Sequence, residues 1–123
     1  QEDNLEISLT FPDGSLGSVA YLANGDRAYP KERLEVFCGG KVAALEDYRE
    51  LRLAAGGKIT TRRAALRQDK GHRAEWQAFS QAILNGGPPP IPYDQLFGVS
   101  RAAFAAVQSL RNGETILLPR QKP

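Results

Sequence analysis

One cysteine, one histidine, one tryptophan and no methionine in 123 residues remove several kinds of chemistry before any motif is considered. A lone Cys38 can neither close an internal disulfide nor give zinc a thiolate pair, and it suits a strand as a small apolar residue. A single His72 cannot build a histidine metal cluster or a Ser-His-Asp triad within the chain; at the entrance of a helix it reads as structural. Long apolar runs are missing too: none approaches the roughly 18 residues that cross a bilayer, and no signal peptide precedes the first strand. No membrane partner is therefore expected, and the cytoplasm is the expected compartment. The net charge of +2 is too small to call for nucleic acid. The missing methionine and the opening Gln1-Glu2-Asp3-Asn4 read as a piece of something longer.

What is present suits one soluble domain over residues 1–123, with 41% apolar and 24% charged residues, enough for a single core. Leu5, Ile7, Leu9 and Phe11 alternate with Glu6, Ser8 and Thr10, the period of a half-buried strand. Pro12-Asp13-Gly14-Ser15 is a tight turn by its chemistry, so Leu16 to Leu22 returns as the partner of a hairpin. A third strand carries Leu34, Val36 and Cys38 on one side and Arg33, Glu35 and Phe37 on the other. Gly39-Gly40 turns it into a fourth strand, Lys41 to Leu45. A fifth is expected from Tyr48 to Leu53, and Gly56-Gly57 leads to a sixth from Lys58 to about Ala64. Short strands joined by glycine turns make a meander.

Helical spacing begins at His72, with Trp76, Phe79 and Ile83 on one face. Asn85-Gly86-Gly87 stops that helix and Pro88-Pro89-Pro90 forms a stiff connector. A second helix is expected from Tyr93 or Asp94 to Arg111, with a core stripe of Leu96, Val99, Ala103, Val107 and Leu110. The expected class is α+β: a largely antiparallel sheet of about six strands in a meander, covered on one face by the two C-terminal helices. In that setting Trp76 and Phe79 are expected to pack on the sheet face of Leu5, Ile7 and Leu9.

Chemistry is sparse. Glu46 and Asp47 are adjacent, and alternation in a strand would send the two side chains to opposite faces, which argues against a carboxylate dyad. Lys58, Arg62, Arg63, Arg67, Lys70 and Arg73 form a basic stretch. It reads either as a phosphate-binding stripe or as a charged strand edge that discourages edge-to-edge pairing, and no aromatic residue interleaves it as base stacking requires. No Gly-x-Gly-x-x-Gly follows a strand, so the chain has no dinucleotide fingerprint.

The run Gly71-His72-Arg73-Ala74-Glu75-Trp76-Gln77-Ala78-Phe79, followed by Ile83-Leu84-Asn85-Gly86-Gly87-Pro88-Pro89-Pro90 and a helix ending Leu110-Arg111-Asn112-Gly113, resembles the end of the Gfo/Idh/MocA family of nicotinamide-dependent oxidoreductases. The resemblance covers most of the chain and implies the later portion of that family's second domain, which binds substrate and builds the oligomer. It also implies NAD or NADP as cofactor of the intact enzyme, held by an N-terminal nucleotide-binding domain absent from this sequence. The family's Glu-Lys-Pro motif with its catalytic lysine is missing, as is the Asp-x-Gly segment that opens its second domain. Asp69-Lys70-Gly71-His72 is too closely spaced to replace that segment, and no catalytic residue is assigned.

In the resembled family the connection after the hairpin lies near the substrate cleft. Here Asn24, Tyr29, Lys31 and Arg33 are the candidate substrate-binding residues, since they could donate hydrogen bonds to hydroxyls or a carboxylate of a sugar-like substrate. A solvated loop is the other reading of the same residues. The family's uncovered sheet face commonly forms the subunit contact, which makes Val19, Tyr21 and Phe37 candidates for a homodimer interface. A free-standing interaction domain, using the open sheet face or the basic stretch, is the rival to the enzyme fragment.

Overall fold

The computed structural model describes residues 3–64 and 68–119. Its elements are β1 (Asn4–Thr10), β2 (Leu16–Leu22), β3 (Arg33–Cys38), β4 (Lys41–Glu46), β5 (Glu50–Ala55), β6 (Lys58–Arg63), α1 (His72–Leu84) and α2 (Tyr93–Asn112). The class is α+β, with six antiparallel strands followed by two helices. The strands divide into two sheets, β1-β2 and β3-β4-β5-β6, where the alternation by itself suggested one. The break falls at the long polar connection between β2 and β3, too long to act as a hairpin turn. By contacts, one compact unit contains the chain up to Leu5 and Ala20–His72, and a second contains Glu6–Val19 and the chain from Arg73 onward.

The first turn is built by side-chain chemistry. Gly14 N–H donates to the Phe11 carbonyl at 3.0 Å and Phe11 N–H to the Ser15 carbonyl at 2.9 Å, with Pro12 at the turn's second position and Gly14 at φ 85°. This is the type I turn plus left-handed residue of a three-residue hairpin loop. Asp13 Oδ1 accepts the Ser15 N–H at 3.0 Å, and that bond holds its carboxyl below the usual value. At the open end, Ala23 N–H is shared between Asn4 Oδ1 and the Asp3 carbonyl, each at 3.0 Å.

The four-stranded meander is in strict register. Leu34 faces Leu45 and Leu45 faces Leu51; in the next row but one, Val36 faces Ala43 and Ala43 faces Leu53. Directly opposed residues share a face, so these rows lay an apolar band across β3, β4 and β5, which β6 continues with Arg62 and Thr60. The other side holds Arg33, Glu46, Glu50 and Arg63 in one row, Glu35, Ala44, Arg52 and Thr61 in a second, and Phe37, Val42, Ala54 and Ile59 in a third. Ala44, between Glu35 and Arg52 in its row, is the one buried apolar residue among those described.

The fifth strand starts at Glu50, two residues later than the expected Tyr48. Arg49 N–H donates to the Glu46 carbonyl at 2.9 Å, and the residues between them, Asp47 and Tyr48, have φ of 50° and 52°. A left-handed tyrosine is unusual, so the turn carried no glycine signal. The outer two turns, at Gly39-Gly40 and Gly56-Gly57, take positive φ as expected.

Helix α1 ends where the Asn-Gly-Gly run stops it: Gly86 has φ 61° and Gly87 N–H donates to the Ala82 carbonyl at 2.9 Å. Helix α2 begins after Pro92, whose carbonyl accepts from Gln95 and Leu96, and ends on left-handed Gly113, whose N–H donates to the Ser109 carbonyl at 2.8 Å. Neither helix contains a buried residue. Trp76 and Phe79 pack edge to face, ring centroids 6.0 Å apart at 81°, yet remain 68% and 49% exposed. They therefore do not form the buried stripe that their spacing suggested. On α2 the partly sheltered positions are Gly98, Ala102, Ala105, Ala106 and Ser109. The bulky stripe of Leu96, Val99, Val107 and Leu110 is exposed.

Candidate functional site

The connection from β2 to β3 folds over the Asp47-Tyr48 turn and the segment after β6. Asp26 starts this arrangement: its Oδ1 accepts the Ala28 N–H at 2.8 Å and its carbonyl accepts the Tyr29 N–H at 3.1 Å. The side chain thus imposes an Asx-type turn. At the other end of the connection, Asp47 N–H donates to the Glu32 carbonyl at 2.7 Å, while Asp69 N–H donates to the Tyr48 carbonyl at 3.2 Å. Three sequence-distant segments are thereby fixed by their backbones around one concavity.

That concavity has a volume of about 400 Å³, within the roughly 300–1,000 Å³ of small-molecule sites. Arg27, Tyr29, Lys31 and Glu32 line it from the connection, Asp47 and Arg49 from the turn, and Gln68 and Lys70 from the third segment. Its carboxylates are occupied. Glu32 Oε1 accepts from Lys70 Nζ; Asp47 Oδ1 accepts from Gln68 Nε2, and Asp47 Oδ2 lies 3.2 Å from Arg49 Nε. The Lys70 bond holds Glu32 below its ordinary pKa and raises that of Lys70. Lys70 Nζ also stands 5.8 Å from the Tyr48 ring centroid, a cation–π distance.

Of the four residues anticipated for substrate, the structure brings Tyr29 and Lys31 to this cavity. Asn24 lies in the turn after β2 and Arg33 at the start of β3; neither is among the lining residues. Arg33 instead bonds Glu35 at 2.8 Å and lies 3.6 Å from Glu46, and the Glu35 bond raises its pKa. Sequence reasoning missed Asp47, Gln68 and Lys70, which are separated from Tyr29 by whole strands and share no motif with it.

The charged face of the meander is an ordered network. Arg52 lies 3.1 Å from Glu46 and 3.5 Å from Glu50, and Arg63 lies 2.7 Å from Glu50. The basic stretch is thus partly neutralised, since Arg63 and Lys70 both have carboxylate partners; Arg67 lies outside the described residues. Beside the network, Phe37 and Ile59 are 72% and 73% exposed. Val19 and Tyr21, two apart on β2 and hence on one face, are exposed as well. Cys38 is exposed and free.

Among the described residues no His, Cys, Asp and Glu side chains gather as a metal site, and no helix is long and apolar enough to cross a membrane. No known protein family, curated protein or solved structure matches the chain.

Proposed function

We propose that this chain is the substrate-binding and oligomerisation portion of an NAD(P)-dependent oxidoreductase of the Gfo/Idh/MocA type, acting on a hydroxyl carbon of a sugar, cyclitol or related compound. The intact enzyme would pass a hydride between the nicotinamide and that carbon, and this chain alone would be inactive. Its described strands pair antiparallel, and no glycine turn joins a parallel strand to a helix among them. In this reading, binding of the cofactor falls to a separate nucleotide-binding domain. What this chain contributes is a polar cavity fit for a hydroxylated ligand and two extended sheet faces fit for contacts.

The observation that carries the reading is the exposure of those faces. Leu34, Val36 and Leu53 stand on an apolar band of the meander and remain exposed, a state in which a hydrophobic surface seeks a partner. On the opposite side, Phe37 and Ile59 beside a network of mixed charge suit a two-fold contact, in which each sign can meet its opposite. The same row would serve a free-standing interaction domain. The reading frame upstream of Gln1 separates the two: a strand, Gly-x-Gly-x-x-Gly and helix encoded there supports the oxidoreductase, whereas a stop codon and start Met directly before Gln1 defeats it.

A further inference from the structure

We propose that the cavity between the β2–β3 connection and the Asp47-Tyr48 turn binds the acidic group of a small anionic polyol, with Arg27 and Lys31 as the receiving charges. The argument is one of charge accounting in a fixed space. Arg27, Lys31, Arg49 and Lys70 line the cavity against Glu32 and Asp47, four positive charges against two negative, a surplus of two. The pairing is also uneven. Lys70 is held by Glu32, and Arg49 by Asp47, whereas Arg27 and Lys31 have no ion-pair partner among the described residues. Both carboxylates that could repel an anion are already bonded, Asp47 by Gln68 as well.

A guanidinium and an ammonium in one cleft match a carboxylate or phosphate through charge-assisted hydrogen bonds. The Tyr29 hydroxyl offers a further donor to the same group or to a neighbouring ligand hydroxyl. This deepens the proposed function and, for the substrate's identity, rests on it: the substrate becomes an acidic rather than a neutral sugar or cyclitol. Binding itself does not require that reading, since the cavity lies within one compact unit of this chain.

The test is titration of the full chain with glucuronate, inorganic phosphate and myo-inositol, read by calorimetry and by backbone amide NMR. Saturable glucuronate binding, with shifts centred on Arg27 to Glu32 and at least a tenfold loss of affinity in both Arg27→Gln and Lys31→Gln, is the expected result. Phosphate binding with the same map and the same losses supports the anion site with a phosphorylated ligand as its source. No saturable anion binding, myo-inositol binding as tightly as glucuronate, or anion binding unchanged in both folded variants would overturn the proposal. Because all outcomes are read without catalysis, an anion site can fail while the oxidoreductase reading stands, and the reverse.

Discussion

Glu46 and Glu50 face each other directly across the β4–β5 pair, and Arg52 joins them, 3.1 Å from one carboxylate and 3.5 Å from the other. Opposed like charges destabilise a sheet; here Arg33 and Arg63 continue the row on either side, so the two acids are flanked by opposite charge. The arrangement couples strand pairing to pH.

The Arg63 hydrogen bond depresses the pKa of Glu50 below its ordinary 4.5. A carboxyl depressed in the folded state contributes stability that is present above its unfolded pKa and lost as pH falls through the folded one. The urea midpoint is therefore expected to fall on acidification below about pH 4.5, with Glu32, depressed by Lys70, acting in the same direction. Glu50→Gln should make that acid limb shallower, and an unchanged limb would remove the Glu50–Arg63 bond from the folded protein in solution.

The glycine turns make opposite predictions at two positions. A Cβ on Gly57 meets no atom within 4 Å, but φ there is 72°, so Gly57→Ala is expected to cost about 1–2 kcal/mol from backbone strain alone. Gly25 has the same open surroundings without a left-handed backbone, and Gly25→Ala should be neutral or stabilise by up to about 1 kcal/mol. Chemical denaturation of the two variants compares them directly; equal effects would contradict the turn assignment.

Phe79 is half exposed and its main aromatic neighbour is Trp76. In the isolated chain Phe79→Ala should cost about 0.5–1.5 kcal/mol, the scale of an aromatic pair, and not the roughly 3–5 kcal/mol of a core phenylalanine. A larger loss would mean that α1 packs in solution more deeply than its exposed stripe shows.

The elements that could be read from sequence were those with a local cause. The β1–β2 turn follows from Pro12, Asp13 and Gly14, the ends of both helices from Gly86 and Gly113, the bounds of β2 from the chain reversal at that turn, and those of β3 from simple alternation. The start of β5 was not legible, because Asp47 and Tyr48 adopt a conformation that tyrosine seldom takes. Half of the anticipated binding set, Tyr29 and Lys31, reaches the cavity because those residues share its loop. Gln68 and Lys70 reach it through tertiary bonds to Asp47 and Glu32, and no periodicity encodes such pairs. The degree of burial was likewise illegible: the apolar stripes of α1 and α2 are in the sequence, but their covering depends on contacts outside each stripe.

Self-association should follow from the exposed row on the charged face of the meander. Light scattering over a concentration series is expected to show a two-fold dimer, with Phe37→Glu shifting it to monomer by placing a further acid beside the network. A monomeric mass that persists at high concentration would defeat a contact through this face.

The central claim, that this chain completes an oxidoreductase, is tested most directly by following nicotinamide absorbance with the product of the complete reading frame and with this chain alone. Given NAD or NADP and a panel of neutral and acidic sugars and cyclitols, the complete product should form reduced nicotinamide with at least one of them. The 123-residue chain should form none and should show no saturable binding of either nucleotide. A complete product that transfers no hydride to or from any of them, or nucleotide binding by this chain alone, would contradict the account.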